Sequence, residues 1–337
     1  MSIRFEDIAY ALPAQIISNA DLVAENSSWD ITRIEGRSGV LERHIAGADE
    51  TALDLAVEAC RQLFQRHPDL PARVDALIVC TQSPDYIMPP NSCLLHKSLE
   101  LAEEVLAFDF NLACSGFVYG LAIIKGLVAA GMARNVLFVT GDTYSRYIHA
   151  NDRSARVLFG DGVAATWITS SAGQGAGVVD ILCGTMGALY DRFIIPAGGL
   201  RMPKSQQTAQ PQVDESGNIR TAENIYMDGM GIMEFVLAKV PAQVRTLLTR
   251  NQMTVADIDL FVFHQASKLV LDSLARVLRI PPEKMFQNIA HLGNTVSATI
   301  PIALKEAMDA GMLQRGQKVL MSGFGVGLSW ASAIAEV

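Results

Sequence analysis

The sequence predicts an α/β protein built from two related halves. Short β-branched and aliphatic runs alternate with helical patterns along the whole chain, which is typical of buried sheets flanked by helices. Several of these elements recur in the same order in the second half of the chain. In addition, half of the 337 residues are hydrophobic and 18% are charged, which is enough apolar material for a large core.

Five apolar runs predict strands, because β-branched and aliphatic residues dominate each of them. They are residues 76–80, 105–110, 136–140, 260–263 and 319–322. Apolar residues at helical spacing predict helices between them. The clearest are near residues 53–63, 117–132, 270–277 and 296–308. The stretch 117–132 is interrupted by Lys125 and three glycines, so we expect a buried helix rather than a membrane span.

The repeated elements indicate a duplication. The matching pairs are 74–79 with 258–263, 130–132 with 310–312, and 135–138 with 318–321. We therefore predict two halves, 1–170 and 171–337, packed around a pseudo-twofold axis. The alternative is that two unrelated α/β halves share generic strand patterns.

Composition also excludes several function classes. The formal charge of −8 supplies no general attraction for nucleic acid or an anionic membrane. The N-terminal residues lack the basic region, apolar run and cleavage site of a signal peptide, so we expect a cytoplasmic protein. The five cysteines form no CxxC pair and are odd in number, which predicts neither a zinc site nor a disulfide framework.

The segment 197–223 departs from the α/β pattern because it is rich in Gly, Pro, Ser, Gln and Thr. We predict a long surface excursion. Two interpretations stay open: a lid or tunnel wall over a site, or a variable loop.

Cys114 is the first candidate for chemistry. It follows the predicted strand 105–110 and precedes a strongly helical pattern that starts near Gly116. Unpaired N–H groups at a helix N-terminus stabilise a thiolate, so we expect a lowered pKa and a usable nucleophile. The alternative is a small buried hydrophobe, since cysteine is among the most buried residue types.

His264 and Asn294 are the other two candidates. His264 ends the predicted strand 260–263, and strand ends are where sites form in α/β proteins. Asn294 lies in a turn-like segment before an apolar helix. A satisfied structural histidine and a helix cap are the alternatives.

Five motifs carry a resemblance to a known family. They are residues 111–117 (NLACSGF), 158–162 (LFGDG), 264–266 (HQA), 293–295 (GNT) and 323–330 (GFGVGLSW). In this order they resemble the beta-ketoacyl-ACP synthase III family of the thiolase superfamily along nearly the whole chain. The resemblance implies a duplicated, five-layered α-β-α-β-α thiolase fold and a homodimer. It also implies that Cys114 is the nucleophile and that His264 and Asn294 are its partners.

The implied chemistry is a Claisen condensation. An acyl-CoA transfers its acyl group to Cys114, and backbone donors at Cys114 and Val326 stabilise the oxyanion. A malonyl thioester then loses carbon dioxide, and its enolate oxygen is bound by a ring N–H of His264 and the amide of Asn294. This chemistry requires no metal and no redox cofactor.

The resemblance assigns further residues to the substrates. Trp29 and Arg153 resemble the pair that holds the CoA adenine, although Trp29 could instead pack an edge. Phe159 falls in the acyl pocket, and Met88 resembles a loop residue that closes the partner's pocket across the dimer. The flexible thioether of Met88 is compatible with more than one chain length.

The sequence departs from the family where acyl carrier protein is usually bound. Leu269 stands where a docking arginine is usual, and Glu234 stands where a basic residue is common. Lys268 and Arg276 could supply some positive surface, or simply form a solvated helix face. The extender is therefore carried either by acyl carrier protein or by CoA, and a condensation or acyl transfer in specialised metabolism is the alternative function.

Two other classes fit less well. A related HMG-CoA synthase would carry a catalytic glutamate after the strand that ends at Cys80, but Gln82 stands there. A non-catalytic thiolase-fold subunit would have lost part of the triad, which is complete in this chain.

Overall fold

The computed structural model describes residues 2–171 and 177–337. The α-helices are α1 (Asn19–Glu25), α2 (Ile31–Ser38), α3 (Ala52–Arg66), α4 (Asn91–Ser98), α5 (Gly116–Ala129), α6 (Arg153–Arg156), α7 (Gly229–Arg250), α8 (Lys268–Leu278), α9 (Ile289–Leu292) and α10 (Thr299–Asp309). The strands are β1 (Ser2–Ala11), β2 (Gln15–Ser18), β3 (Glu42–Ile45), β4 (Ala76–Cys80), β5 (Leu106–Phe110), β6 (Asn135–Asp142), β7 (Gly162–Ser171), β8 (Gly177–Thr185), β9 (Phe193–Ile194), β10 (Gln212–Val213), β11 (Ile219–Arg220), β12 (Tyr226–Met227), β13 (Leu260–Phe263), β14 (Lys318–Gly325) and β15 (Ser329–Glu336). The predicted strands and helices are confirmed, with shifts of a few residues at their ends.

The first large sheet has the strand order β1-β7-β6-β4-β5. Strands β4, β5 and β6 are parallel, while β7 is antiparallel to β6 and β1 to β7. Every residue of β4 is buried, as expected for a central strand that is covered on both faces. The carboxyl ends of the three parallel strands, at Cys80, Phe110 and Asp142, therefore meet at one edge of the sheet.

The second large sheet has the order β13-β14-β15-β8. Strands β13 and β14 are parallel, and the other pairs are antiparallel. The carboxyl ends of β13 and β14 are at Phe263 and Gly325. Gly325 lies against the loop that follows β5 of the first sheet.

The elements form five layers. Helices α5 and α10 lie between the two sheets and share one apolar core with strands of both. Helices α3 and α4 cover the outer face of the first sheet, and α7 and α8 cover that of the second. Helix α5 is apolar on most of its surface because both of its sides face a sheet. The predicted α-β-α-β-α arrangement is confirmed.

The duplication is visible at two aspartates that precede equivalent strands. The Asp75 carboxylate accepts hydrogen bonds from the backbone N–H groups of Arg134 and Asn135, at the start of β6. The Asp259 carboxylate accepts one from Lys318, at the start of β14, with an N···O distance of 2.7 Å. Each aspartate thus connects the start of one parallel strand to the start of its neighbour in the sheet, β4 to β6 in the first half and β13 to β14 in the second.

The boundary between the halves at residues 170 and 171 stays a prediction, and the adjoining residues 172–176 lie outside the described part of the chain. Within the described residues, none of the helices combines the length and apolarity that crossing a bilayer would require.

The predicted helix 296–308 differs in one respect. A 3-10 turn at Val296–Ala298 precedes α10, because Val296 has a left-handed backbone with φ of 55°. A β-branched residue is strained in this region, so the α-helix cannot start before it.

Candidate active site

Cys114 lies in the loop between β5 and α5. The loop turns sharply, because the N–H of Gly116 donates to the carbonyl of Ala113 over 2.7 Å, and α5 begins at Gly116. The side chain is buried, with 3% of the residue exposed. Strand β14 passes so close that a Cβ at Gly325 would lie 2.9 Å from the Cys114 Sγ atom. Only glycine therefore fits at this point of the strand.

The predicted lowering of the Cys114 pKa is wrong. Burial raises the pKa of the thiol, and the nearby Asp142 carboxylate raises it further. Hydrogen bonds from the backbone N–H groups of Cys114 and Val326 act in the opposite direction, but desolvation outweighs them. The helix N-terminus is where the sequence predicted it, and the loss of water around the sulfur overrides its effect.

His264 follows β13, and its backbone N–H donates to the carbonyl of Ser322 over 2.8 Å. The imidazole packs edge-on against the Phe324 ring, with 5.5 Å between centroids. Burial lowers the pKa of His264 to about 3, while the Val296 carbonyl acts against this shift. The imidazole is therefore neutral at physiological pH.

Asn294 is held by the segment around Phe159. The Asn294 N–H donates to the carbonyl of Leu158 over 2.9 Å, and the Gly160 N–H donates to the carbonyl of Asn294 over 3.1 Å. The Asn294 Oδ1 atom accepts a hydrogen bond from the Val296 N–H. The amide nitrogen is thereby turned to the His264 Nε2 atom, at 3.4 Å. The 158–162 motif thus positions the 293–295 motif beside His264.

Thr299 contacts the Nδ1 atom of His264. Its hydroxyl donates to the Val296 carbonyl oxygen over 3.0 Å, and its Oγ1 atom lies 2.7 Å from His264 Nδ1. The hydroxyl has one proton to donate. While Thr299 donates to Val296, the imidazole proton is on Nδ1; if Thr299 donates to Nδ1 instead, the proton is on Nε2, beside Asn294. A His264 donor that faces the site requires the second arrangement.

The two candidate CoA residues lie on neighbouring segments. Trp29 is half-buried in the turn between α1 and α2, and Arg153 is the first residue of α6. An ion pair between Glu25 and Arg156, 2.5 Å long, joins the end of α1 to α6. The assignment of Trp29 and Arg153 to CoA stays a prediction.

The excursion 197–223 packs against the start of α6. Its hairpin, β10 and β11, carries Arg220, which forms ion pairs with Asp214 and with the buried Asp152. The Ile219 N–H also donates to the carbonyl of Asn151 over 3.2 Å. The hairpin therefore lies beside the segment that carries Arg153, and both interpretations of the excursion, a wall and a variable loop, stay predictions.

Phe159 and Met88 lie in different surroundings. Phe159 is buried in an aromatic cluster with Tyr144 and Phe193, at centroid distances of 5.4 and 6.0 Å, and this cluster belongs to the same apolar core as Cys114. Met88 is 79% exposed and its neighbour Ile87 is 96% exposed. The assignment of Met88 to the acyl pocket of a second copy of the chain stays a prediction.

Sequence reasoning missed Asp142, Thr299 and the Val296 turn. Asp142 ends strand β6, so the strand-end rule that selected His264 applied to it equally. Thr299 and Val296 had no sequence signal, because their importance follows from contacts with His264 and Asn294. Among residues 2–171 and 177–337, no His, Cys, Asp and Glu side chains are grouped to hold a metal ion.

Cys114 follows the first sheet and lies against β14 of the second, while Asn294 lies beside His264 at the end of β13. The duplicated, five-layered fold is that of the thiolase superfamily.

Comparison with known proteins gives the family. The models described as 3-Oxoacyl-[acyl-carrier-protein (ACP)] synthase III and its C-terminal domain match residues 108–187 and 248–337. The Beta-ketoacyl-[acyl-carrier-protein] synthase III of Roseiflexus sp. (strain RS-1) is 35% identical over 96% of this chain and 95% of its own length. The chain belongs to the beta-ketoacyl-ACP synthase III family.

Solved structures agree with this assignment. A 3-oxoacyl-(acyl-carrier-protein) synthase III matches with a TM-score of 0.97 and 42% identity, over 100% of both chains. The 3-oxoacyl-(acyl-carrier protein) synthase of Burkholderia xenovorans LB400 matches with a TM-score of 0.92 and 32% identity, covering 100% of this chain and 94% of its own. The priming beta-ketosynthase of the R1128 polyketide pathway matches at 0.86 and 29%, covering 100% and 96%.

Proposed function

We propose that this enzyme forms a carbon–carbon bond between an acyl group carried on Cys114 and a decarboxylated malonyl thioester. One observation carries the proposal: the Asn294 amide, oriented by the Val296 N–H, lies beside the neutral His264 imidazole at the end of β13, and β14 of the same sheet passes directly against the Cys114 sulfur. The names of the relatives point to the same reaction class.

The first half-reaction transfers the acyl group. The Cys114 sulfur attacks the thioester carbonyl of an acyl-CoA, the carbon–sulfur bond to CoA breaks, and the thiol proton leaves with CoA. The carbonyl oxygen becomes an oxyanion during the attack. We assign its stabilisation to the N–H groups of Cys114 and Val326, because both already donate towards the sulfur.

The second half-reaction forms the product. The malonyl carboxylate leaves as carbon dioxide, and the negative charge passes to the enolate oxygen. Asn294 donates to this oxygen through Nδ2, and His264 donates through Nε2–H when Thr299 donates to Nδ1. The enolate carbon then attacks the acyl-Cys114 carbonyl, the bond to sulfur breaks, and the thiolate takes up a proton.

The substrates follow the same assignment. We propose that Trp29 and Arg153 hold the adenine end of CoA, and that Phe159 lines the acyl pocket. Met88 closes the pocket of a second copy, which makes the homodimer part of the proposal. We place the reaction in the cytoplasm, where fatty-acid precursors occur as thioesters, with neither nucleic acid nor a membrane as partner.

The function is tested by separating the two half-reactions. Intact mass after incubation with acyl-CoAs should show one acyl adduct, which peptide mapping locates on Cys114. Single-turnover assays should then show that His264→Ala and Asn294→Ala slow carbon dioxide release about 10²- to 10³-fold, the usual cost of one oxyanion donor, with a much smaller effect on acylation.

The controls decide between the assignments. Cys114→Ala should carry no adduct, whereas Cys93→Ser and Cys183→Ser, which remove the two exposed thiols, should be acylated normally. An adduct on another cysteine rejects Cys114 as nucleophile. Equal losses in both half-reactions reject the division of labour.

A second candidate concerns the carrier of the malonyl group. Lys268 is paired with Asp272 at 2.5 Å, while Leu269 and Glu234 are exposed. Of the two cations on α8, Lys268 is paired with Asp272 and Arg276 is exposed, so the positive charge that could attract an acidic carrier protein is reduced. This favours a CoA-borne extender, as expected for a specialised pathway.

Rates with the two extenders distinguish these candidates. We expect kcat/KM for malonyl-CoA to equal or exceed that for malonyl-ACP, with little dependence on salt, because exposed charge pairs are what salt screens. Asp272→Asn, which frees the Lys268 charge, should improve malonyl-ACP selectively, and Asp309→Asn, which frees Lys305 on α10, is the matched control. A strong, salt-sensitive preference of the wild type for malonyl-ACP would restore the carrier-protein reaction.

A further inference from the structure

Asp142 is a fully buried carboxylate that the proposed chemistry leaves without a part. It is the last residue of β6, with none of its surface exposed. Its Oδ1 atom accepts hydrogen bonds from the Gln82 N–H over 2.6 Å and from the Thr81 hydroxyl over 3.3 Å. Its Oδ2 atom accepts one from the Ser297 hydroxyl over 2.8 Å. Burying a carboxylate costs free energy of folding, so we expect a structural or chemical role for Asp142.

These bonds connect the two halves of the site. Thr81 and Gln82 follow β4 in the first sheet, whereas Ser297 lies in the turn between Asn294 and α10. Ser297 comes directly after Val296, whose strained left-handed backbone directs its N–H to the Asn294 Oδ1 atom. A strained turn persists only where its surroundings hold it. The hydrogen bond from Ser297 to Asp142, at the end of β6 in the first sheet, fixes this turn.

Asp142 and the loop that carries Cys114 lie at the same edge of the first sheet, because Asp142 ends β6, the loop follows β5, and both strands run parallel to β4. The field of the Asp142 carboxylate acts on two cysteines and two tyrosines, which are Cys80, Cys114, Tyr144 and Tyr147. Burial raises the pKa of Asp142 itself to about 7, although its hydrogen-bond donors favour ionisation. Asp142 therefore gains its charge near neutral pH, and the Cys114 thiol then has an anion beside it.

We propose that Asp142 is a positioning residue that couples the two halves of the condensing site: through Ser297 it holds the turn that orients Asn294, and it sets a negative charge next to Cys114. The first part rests on the proposed condensation. The second part concerns the thiol alone and holds whatever reaction the enzyme catalyses.

The charge is tested by alkylating Cys114 across the pH range. Iodoacetamide reacts with the thiolate, and the tryptic peptide 98–125 contains Cys114 as its only cysteine, so mass spectrometry measures this site by itself. Asp142→Asn should react at about the wild-type rate at pH 6, where Asp142 is protonated. At pH 9 it should react about tenfold faster, as expected when a neighbouring charge that shifts a pKa by about one unit is removed.

The wild type provides a second measurement if Asp142→Asn fails to fold. Its logarithmic alkylation rate should rise with pH, flatten near pH 7 as Asp142 ionises, and then rise again. Ser297→Ala keeps the carboxylate and should retain the flattened region. An unbroken rise in the wild type, or a constant ratio between Asp142→Asn and the wild type, overturns the charge assignment.

The role of the Ser297–Asp142 hydrogen bond in fixing the turn is tested by measuring the two half-reactions separately. Ser297→Ala should slow carbon dioxide release from the malonyl thioester about tenfold and leave the acylation of Cys114 within about twofold, since Asn294 serves only the second step. Thr81→Val removes a hydroxyl from the same carboxylate but from the other sheet, and should change neither step. Equal losses in both steps for Ser297→Ala overturn the positioning role. If the wild type releases no carbon dioxide, the proposed function fails, and the alkylation profile still decides the charge.

Discussion

At the scale of single residues, burial rather than the helix terminus determines the state of the candidate catalytic groups. Burial raises the pKa of the Cys114 thiol and lowers the pKa of His264 to about 3. Both groups are therefore neutral in the empty site, unlike the thiolate–imidazolium pair that many cysteine nucleophiles form. A neutral imidazole suits a hydrogen-bond donor to an enolate and makes a poor general acid.

The buried neutral His264 also makes stability depend on pH. Its pKa is about 3 when folded and about 6.5 when unfolded, so the unfolded chain binds the extra proton between these values. Stability is lost as the pH falls through this range. We expect His264→Gln to lose less stability than the wild type on going from pH 7.5 to pH 5, by about 2 kcal/mol.

Urea unfolding at both pH values measures this difference. The matched control is His291→Gln, which replaces an exposed histidine by the same residue, glutamine. If the unfolding free energies of the wild type and His264→Gln depend identically on pH, His264 is protonated in the folded protein. Its assignment as a neutral hydrogen-bond donor would then be wrong.

At the scale of elements, Arg220 forms the ion pair that attaches the β10–β11 hairpin to the start of α6, beside the backbone bond from Ile219 to Asn151. The Arg220 guanidinium donates to Asp152, whose side chain is almost completely buried, over 3.1 Å, and also contacts Asp214. Removing one partner of a buried pair leaves an uncompensated charge, which typically costs about 3–5 kcal/mol. The hairpin and the start of α6 should therefore respond as one unit.

A double-mutant cycle tests this attachment. We expect Arg220→Met to destabilise the protein by about 3 kcal/mol, and Asp152→Asn in the same chain to recover part of the loss, because the buried Asp152 carboxylate is then no longer left without its cation. Arg220→Met should also raise KM for acyl-CoA more than it lowers kcat, if Arg153 binds CoA.

Unfolding free energies of the two single variants and the double variant, with KM and kcat, provide the readout. Lys204→Met is the control, since Lys204 is exposed and forms only a long 3.5 Å ion pair in the same excursion. Additive losses would show that the pair is not coupled, and an unchanged KM would separate the hairpin from the CoA site.

At the scale of the whole molecule, the loop after β4 exposes a run of three apolar residues. Tyr86, Ile87 and Met88 stand together on the surface, and Ile87 is almost fully exposed. The loop follows β4, and the neighbour of β4 in the sheet is β5, an edge strand whose apolar side chains are half-buried. An edge strand and an adjacent apolar loop are both features that a second copy would cover.

We expect the protein to sediment as a dimer and Ile87→Asp with Met88→Asp to weaken it, because a buried carboxylate in the interface is costly. Leu200→Asp changes an equally exposed apolar residue in the excursion and should leave the dimer intact. Sedimentation velocity over a range of concentrations measures both. A wild-type monomer at every concentration, or an equal effect of Leu200→Asp, would rule out this loop as part of the interface.

The sequence by itself determined much of this protein. Strands 76–80 and 260–263, the buried helix after Cys114 and the repeated halves all follow from local apolar patterns, which act over a few residues and can therefore be recognised without the fold. The chemistry-bearing motifs also follow from the sequence, since His264 and Cys114 stand at strand ends.

Only the tertiary structure decided how these residues behave. The Cys114 pKa follows from the water that packing removes and from the Asp142 charge, neither of which is encoded next to Cys114 in the chain. The orientation of Asn294 depends on the left-handed Val296 backbone. Desolvation and electrostatic fields act through space between segments that are distant in sequence, so local patterns locate the candidate catalytic groups and the assembled sheets set their charge and direction.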